Sequence, residues 1–264
     1  MNNNTVFGTY EWAVKNANFI NGCSHNCKYC YSKEMAVRYK RKNKNNWRKE
    51  VINSAQFNKN YRKVNGTIMF PSSHDITPEN LDKSIVFIRK LLIPGNKVLI
   101  VSKPHLIVVK TLCKEFKNSK NNILFRFTIG SLDSKILRFW EPNAPSFEER
   151  FDALKFAYKS GFKTSVSCEP MLDSQTIQLV NKLEPYVSDS IWLGKANFLI
   201  RRLKLNGNSD RKTLELANNL LESQNDGTIE KLYQVLYKNK KIKWKDSIKK
   251  TVKIDLLKEK GLDK

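Results

Sequence analysis

Short apolar runs alternate with amphipathic segments along most of the chain. A short apolar run bounded by turn residues is typical of a buried strand, and apolar residues spaced three and four apart predict a helix. In residues 146–162, for example, Phe147, Phe151 and Leu154 fall on one helical face. The predicted strands are 66–70, 97–103, 122–130, 163–171 and 188–194, and the predicted helices between them are 77–92, 105–117, 146–162 and 174–184.

The order of these elements predicts an α/β fold. Strand and helix alternate about five times with short connections, which indicates a parallel sheet wound by crossover helices. The pattern alone leaves open a doubly wound sheet, a full barrel or a partial barrel. In each of these, functional residues gather at the carboxyl ends of the strands. The polar candidates at those ends are 71–75, Lys103, Ser131, Glu169, Lys195 and Asn197.

Beyond about residue 200 the apolar pattern is weaker and lysines are frequent. No convincing linker or internal repeat interrupts the chain. We therefore predict one domain over 1–264, with a core at about 12–200 and a helical extension at about 201–264. The predicted helices of the extension are 210–223, 228–238 and 240–257.

The chain is strongly basic. Among 264 residues, 48 Lys and Arg against 25 Asp and Glu give a net charge of +23, which attracts polyanions. DNA or RNA is therefore a candidate partner. The alternative is a lysine-rich composition in which most lysines are simply solvated at the surface. The basic segments 38–49 and 238–250 also contain Trp47 and Trp244, a composition suited to phosphate contacts and base stacking.

The start of the chain lacks the apolar core of a signal peptide, and no later run approaches the roughly 20 apolar residues of a membrane span. We therefore expect a cytoplasmic protein with no membrane partner. Five cysteines, an odd number, without an export signal argue against structural disulfides and favour metal binding or reactive thiols.

Three of the cysteines, Cys23, Cys27 and Cys30, fall within eight residues. Thiolates at this spacing can turn toward one point and hold a soft metal centre. A tetrahedral zinc site needs a fourth ligand, for which His25 is the nearby candidate, whereas a redox pair at 27–30 would leave Cys23 unused. Three ligands to a four-iron cluster leave one iron open to chelate a small molecule.

In this motif, CSHNCKYC, the chain resembles the radical SAM superfamily, whose CxxxCxΦC motif has an aromatic residue at the position of Tyr29. Over about 15–200 the chain also resembles the spore photoproduct lyase-like branch of that superfamily. The pattern GCxHxCxYCY begins at Gly22, SSHDI follows the strand at 66–70, and VSKP follows the strand at 97–103.

The resemblance implies a partial (β/α)6 TIM-type barrel with an iron–sulfur loop after the first strand. It implies a [4Fe–4S] cluster on the three cysteines, S-adenosylmethionine on the open iron, and a one-electron donor of the flavodoxin or ferredoxin type. Such an enzyme cleaves S-adenosylmethionine reductively to a 5′-deoxyadenosyl radical, which abstracts hydrogen from a substrate; nucleic acid is a candidate substrate here. Photoproduct lyases carry a cysteine in the segment aligned with 70–78, where this chain has Ser72 and Ser73, so thymine-dimer repair is not expected.

The resemblance also implies contacts with S-adenosylmethionine at the strand ends. An aspartate such as Asp75 suits the methionyl amino group, and Lys103 and Arg150 suit the carboxylate. The alternative for each is an ordinary solvated or capping residue. The predicted cofactor contacts are Tyr29, Ser73, Asp75, Lys103, Ser131 and Arg150.

Three further residues, Glu169, His74 and Cys168, are candidates for catalysis. Side chains alternate along a strand, so Glu169 should share the cavity face with Ser167 while Cys168 faces the packing side. Cys168 is a candidate radical relay, although buried thiols are usually inert. His74 could carry protons near neutral pH, with structural hydrogen bonding as the alternative.

A function from another class also fits the sequence: a nucleic-acid-binding protein whose cysteines hold structural zinc. That protein would be colourless and stable in air, whereas the iron–sulfur enzyme would be brown. The sequence leaves the substrate, the final hydrogen donor and the fate of S-adenosylmethionine open.

Overall fold

The computed structural model describes residues 5–261 and has an α/β architecture. Its strands are β1 Lys15–Asn16, β2 Ile20–Asn21, β3 Val51–Ile52, β4 Thr67–Phe70, β5 Lys97–Ser102, β6 Ile123–Thr128, β7 Lys163–Cys168, β8 Ile191–Leu193 and β9 Ile242–Trp244. Seven of the described strands form one sheet in the order β1-β4-β5-β6-β7-β8-β9, and every neighbouring pair is parallel.

Crossover helices connect these strands, with short 3₁₀ turns between some elements. The helices are α1 Tyr31–Arg38, α2 Ser54–Asn58, α3 Leu81–Leu92, α4 Leu106–Glu115, α5 Ser134–Trp140, α6 Phe147–Lys159, α7 Thr176–Leu183, α8 Leu199–Asn206, α9 Arg211–Glu222, α10 Asp226–Leu236 and α11 Asp246–Thr251. The predicted partial TIM-type barrel is confirmed, because β1 and β9 are the two edges of the parallel sheet among the described residues.

Helix α6 shows how local sequence sets these boundaries. Ser146 is the N-cap, and its hydroxyl accepts a hydrogen bond from the amide of Glu149 at 3.3 Å. Gly161, with a φ of +78°, follows the helix in the left-handed conformation that glycine adopts most readily. The predicted start and stop of this helix are therefore correct.

The two faces of the sheet carry different side chains. Along β6, Phe125 and Phe127 belong to the main apolar core under the helices, while Arg126 between them faces the barrel interior. In the interior, Arg126 lies over Trp12 and Trp192, with its Cζ 4.7 Å and 5.0 Å from the two ring centroids. The main apolar core therefore lies outside the sheet, and the interior combines charged and aromatic side chains with a small apolar cluster of Ala13, Met69, Leu99 and Val101.

A buried lysine completes this interior. Lys245 is fully buried, and its Nζ lies 2.6 Å from Glu11 Oε1 and 3.6 Å from Glu169 Oε2. Its ammonium also lies 4.3 Å from the ring centroid of Trp12. The N-terminal segment and the chain after β9 thus meet inside the barrel.

The C-terminal segment corrects one sequence prediction. Residues 240–257 were expected to be helical, but Ile242–Trp244 forms a strand that pairs with β8, and only Asp246–Thr251 is helical. Ile242 and Trp244 alternate with Lys243 and join the same buried cluster as residues of the barrel core, a period of two that favours a strand. The sheet therefore has a seventh strand, and the expected division into core and extension stays a prediction.

Candidate functional site

The clustered cysteines lie on the loop between β2 and α1. Gly22 begins the loop with a φ of +108°, and a Cβ there would lie 2.7 Å from the carbonyl oxygens of both Trp47 and Lys49. Only glycine avoids this clash. At the other end, Cys30 is the N-cap of α1, and its sulfur accepts a hydrogen bond from the amide of Lys33 at 3.4 Å. Both ends of the loop are therefore fixed.

The thiols of Cys23, Cys27 and Cys30 lie close enough to interact electrostatically. Cys23 and Cys27 are buried, and Cys30 is partly exposed. Burial raises the pKa of all three thiols, and a cationic metal centre would reverse that effect by stabilising the thiolates. Three soft sulfur donors on one short loop fit an iron–sulfur cluster.

Asp75 links this loop to the end of β5. Its Oδ1 accepts hydrogen bonds from the Ser102 hydroxyl at 3.0 Å and the Lys103 amide at 2.8 Å. Its Oδ2 lies 2.9 Å from His25 Nδ1, 3.6 Å from Lys103 Nζ and 3.8 Å from Cys23 Sγ. Burial alone would raise the pKa of Asp75, but Lys103 and His25 hold it well below its usual range. The carboxylate is thus ionised and well anchored beside the cysteines.

His25 was the candidate fourth ligand for zinc. The ligand atoms of Cys23, His25 and Asp75 do lie within 4.8 Å of one another. However, His25 Nδ1 already meets Asp75, and its Nε2 lies 3.0 Å from His105 Nε2. His105 Nδ1 in turn lies 3.5 Å from Glu149 Oε1. Because both nitrogens of His25 have protein partners, a hydrogen-bonding role is favoured over zinc ligation.

Tyr29 is held by a buried carboxylate that sequence reasoning missed. Its hydroxyl donates to Glu141, whose other carboxylate oxygen lies 2.5 Å from Arg150 Nη2. Arg150 also donates to the carbonyl oxygens of Pro145 at 2.8 Å and Thr128 at 3.2 Å. Arg150 is fully buried, so the structure favours a positioning role for it over the predicted contact with the cofactor. No motif around Glu141 signals its role.

The other predicted cofactor contacts lie after the strands β4, β5 and β6. Lys103 is mostly buried, and its ammonium interacts electrostatically with the Cys27 sulfur as well as with Asp75. Ser73 is partly exposed. Ser131 is fully buried, and its hydroxyl accepts a hydrogen bond from the Asp133 amide at 2.9 Å. Lys103 is therefore next to the cysteines, and the roles of these residues stay predictions.

Glu169 and Cys168, two of the predicted catalytic residues, point to opposite faces at the end of β7. Glu169 faces the interior beside Lys245 with 26% of its side chain exposed. Cys168 is fully buried in the apolar core, where burial raises the pKa of its thiol. Glu169 can therefore meet a ligand in the interior, whereas a thiol so enclosed is poorly placed for a radical relay.

His74 lies in an aromatic pocket. Its ring meets those of Phe19 and Phe70 edge-on, with centroids 5.6 Å and 5.8 Å apart. Both ring nitrogens are buried, without a hydrogen-bond partner among the described residues. Burial lowers the pKa of His74 to about 3, so the ring is neutral at physiological pH. This environment does not suit the predicted proton transfer and favours a packing role.

A cavity of about 310 Å³, lined by both polar and apolar side chains, opens beside the cysteine loop. Its lining includes Asn18, Tyr31, Ser72 and Ser73. Asn18 Oδ1 accepts hydrogen bonds from the amides of Ser72 at 2.7 Å and Ser73 at 3.0 Å, which fixes this wall. The segment that lacks the photoproduct lyase cysteine therefore borders a cavity.

Asn206 is a second residue that sequence reasoning missed. At the end of α8 it is 2% exposed, and its side-chain amide donates to the carbonyl oxygens of Lys28 at 2.9 Å and Cys30 at 3.0 Å. Asn206 lies in the predicted helical extension, but none of the helix ranges predicted there covers it, and Gly207 was the one sequence signal for the end of α8. The cysteine loop thus depends on a residue far along the chain.

The two tryptophans predicted to stack on nucleic-acid bases are buried. Trp47 packs with Cys23 and Ala36, and Trp244 packs against Tyr233 with ring centroids 5.2 Å apart. Neither ring presents a face for stacking, so this part of the nucleic-acid argument is wrong. The basic charge of the surrounding segments remains.

The barrel, and the cysteine loop that follows its first strand, define a class of iron–sulfur protein. A family model described as "Radical SAM superfamily" matches residues 17–183, and the chain belongs to this superfamily. Its cofactors are a [4Fe–4S] cluster and S-adenosylmethionine, and its enzymes require an electron donor. Membership favours iron–sulfur chemistry over the zinc alternative.

Two curated relatives are uncharacterized proteins. One, from Methanocaldococcus jannaschii, is 28% identical over 155 residues, covering 57% of this chain and 58% of the relative. The other, from Acidianus two-tailed virus, is 24% identical over 180 residues, covering 63% of this chain and 58% of the relative. The chain thus spans less than two thirds of the length of either relative.

Two solved structures share the fold. A spore photoproduct lyase in complex with a dinucleoside spore photoproduct has a TM-score of 0.51 and 18% identity, covering 74% of this chain and 61% of the lyase. Streptococcus suis SuiB bound to S-adenosylmethionine has a TM-score of 0.54 and 13% identity, covering 94% of this chain and 54% of SuiB. The predicted resemblance to the photoproduct lyase branch is therefore confirmed at the level of the fold. Within residues 5–261, no helix has the length and apolar character to cross a bilayer.

Proposed function

We propose that the chain is a radical S-adenosylmethionine enzyme whose cluster ligands are Cys23, Cys27 and Cys30. The observation that carries this proposal is the convergence of the three thiols on a loop anchored through Asp75 to Lys103. When bound, the reduced cluster and S-adenosylmethionine supply a 5′-deoxyadenosyl radical that abstracts hydrogen from a substrate.

The surrounding residues hold and shield these groups. Lys103 offers a cation for the carboxylate of S-adenosylmethionine, and Ser73 offers a hydroxyl at the cavity wall. Asp75 holds Lys103, and the Glu141–Arg150 pair holds Tyr29, so both side chains have protein partners that position them for the cofactors. Glu169 faces the interior, where a substrate would lie.

Anaerobic reconstitution with iron and sulfide tests the proposal. We expect a brown protein that binds about four irons and forms 5′-deoxyadenosine with dithionite. Cys23→Ala, Cys27→Ala and Cys30→Ala should each lose iron and turnover, whereas Cys113→Ala, in α4, is the matched control and should keep both. Retention of iron and turnover in the three loop variants, or a colourless protein with stoichiometric zinc, would contradict the proposal.

A further inference from the structure

Two basic segments meet beside the cysteine loop. Residues 38–49 contain seven Lys and Arg and no acid, and residues 201–212 contain five Lys and Arg with one acid, Asp210. The side chain of Lys44 reaches across to α8, where its Cδ would lie 2.9 Å from a Cβ placed on Gly207. The two segments therefore form one surface, here called the loop-side basic surface, whose exposed cations include Lys44, Arg211 and Lys212.

This surface lies directly over the cluster-binding loop. Lys28 follows Cys27 in the sequence, and its Nζ donates to the Thr213 hydroxyl on α9 at 3.2 Å. The ammonium groups of Lys28 and Lys212 interact electrostatically, with Asp210 as the nearby opposing charge. The cations of α9 therefore stand beside the backbone that carries Cys27.

Lys33, on α1, is near both the cysteine loop and Lys44 of the 38–49 segment. Lys33 interacts electrostatically with Lys44 and with the sulfurs of Cys27 and Cys30. Its Nζ donates to Asn26 Oδ1, within the loop, at 3.0 Å. The positive charge is thus concentrated around the ligands themselves.

We propose that the loop-side basic surface docks an acidic one-electron donor protein, an inference that rests on the proposed function. Lys28 is adjacent to Cys27, and one residue spans at most about 3.6 Å of chain, so a donor that contacts Lys28 is within a few residues' length of the cluster ligands. Complementary charge steers such a partner and raises its association rate. In the step itself the donor loses one electron and the cluster gains it, with no bond formed or broken.

The geometry favours a protein donor here over nucleic acid. Trp47, the aromatic residue of the 38–49 segment, is buried beside Cys23 and cannot stack on a base. A nucleic-acid substrate would also have to present its reacting atom to the barrel interior, where Glu169 lies, and not to the cations over the ligands. An electron, by contrast, needs only a short path to the cluster.

The test uses cluster-loaded enzyme and a strongly acidic flavodoxin in its fully reduced state, mixed anaerobically in a stopped-flow instrument. The variant K44E/R211E/K212E changes three exposed cations outside the cofactor site. The matched control, K114E/K117E/K120E, makes the same charge change next to the amino end of β6, whereas the cysteine loop and Lys103 lie at the carboxyl ends of the strands. Iron content and reduction by dithionite establish that both variants are intact.

We expect the second-order rate of cluster reduction by flavodoxin to fall at least about tenfold in the surface variant and by less than about twofold in the control, at low salt. The difference should shrink at about 0.5 M salt because exposed charges are then screened. Equal rates in the two variants overturn the proposal. So does a surface variant that loses binding to a single-stranded oligonucleotide but keeps its flavodoxin rate.

Dithionite separates this proposal from the proposed function, because it reduces the cluster without a docking surface. If dithionite-reduced wild type forms no 5′-deoxyadenosine, the proposed function fails. If it does form 5′-deoxyadenosine and the surface variant still accepts electrons from flavodoxin at the control rate, the docking proposal alone fails.

Discussion

The guanidinium of Arg150 and the carboxylate of Glu141 form an ion pair of 2.5 Å in which neither side chain is exposed. The same carboxylate accepts the hydroxyl of Tyr29, which directly precedes Cys30. A buried pair supplied by the α5–α6 region therefore holds the cysteine loop in place.

Glu141→Gln should destabilise the protein by about 3–5 kcal/mol, because it leaves the buried charge of Arg150 uncompensated. Urea unfolding measures the loss. The control is Glu115→Gln, which breaks a partly exposed pair with Arg89 and should cost under about 1 kcal/mol. Equal losses in the two variants would show that the buried pair has no special role.

Lys103→Met should weaken binding of S-adenosylmethionine by at least about tenfold while iron content stays normal. Burial opposes the charged form of Lys103, but Asp75 and Cys27 raise its pKa well above the ordinary value, so the cation persists across neutral pH. Equilibrium binding to the reconstituted enzyme provides the measurement. Lys97→Met, at the exposed start of β5, the strand that Lys103 follows, serves as the control. Unchanged affinity in Lys103→Met would remove this residue from the cofactor site.

Cys168→Ala should form 5′-deoxyadenosine at the wild-type rate, because its side chain is enclosed in the core on the helix side of β7. The variant should lose roughly 1 kcal/mol or more of stability from the vacated volume. Turnover and urea unfolding are measured on the same preparation. A large loss of turnover at normal iron content would restore Cys168 as a relay.

His74→Phe should make the protein less sensitive to acid. Burial lowers the pKa of His74 from 6.5, its value in the unfolded chain, to about 3 in the folded protein. Between these two pH values the unfolded chain therefore binds more protons than the folded protein. Stability conferred by the neutral ring is therefore fully present above pH 6.5 and falls as the pH is lowered toward 3, with a loss of about 2 kcal/mol by pH 5. The free energy of unfolding at pH 7.5 and pH 5.0 gives the slope for each protein. Identical slopes would contradict the buried, neutral state of His74.

Local pattern was sufficient for most of the alternating strands and helices, because the strands are short apolar runs and the helices carry caps such as Ser146. The choice of a partial barrel came from the family resemblance and not from the pattern. The pattern failed at β9, because this strand has only three residues. Their alternation of apolar and polar side chains is too brief to be distinguished from the neighbouring lysine-rich helices. The cysteine motif predicted the loop and its family because all the residues of the motif are neighbours in the sequence.

The support of the loop could not be predicted in this way. Glu141, Asn206 and Asp75 reach the loop from three separate regions, and no spacing rule connects them to it. Burial also changes the roles predicted from residue type. Arg150 is paired with Glu141, and His74 is an uncharged ring that packs against phenylalanines. Tertiary contacts of this kind are set by the fold and not by the motif.

The side-chain amide of Asn206 holds two carbonyl groups of the cysteine loop, yet the family match ends at residue 183. The segment that identifies the superfamily is therefore shorter than the segment that keeps its cofactor loop in shape. A version of this protein truncated where the family match ends would retain all three cysteines but lose the two hydrogen bonds that Asn206 donates to their loop.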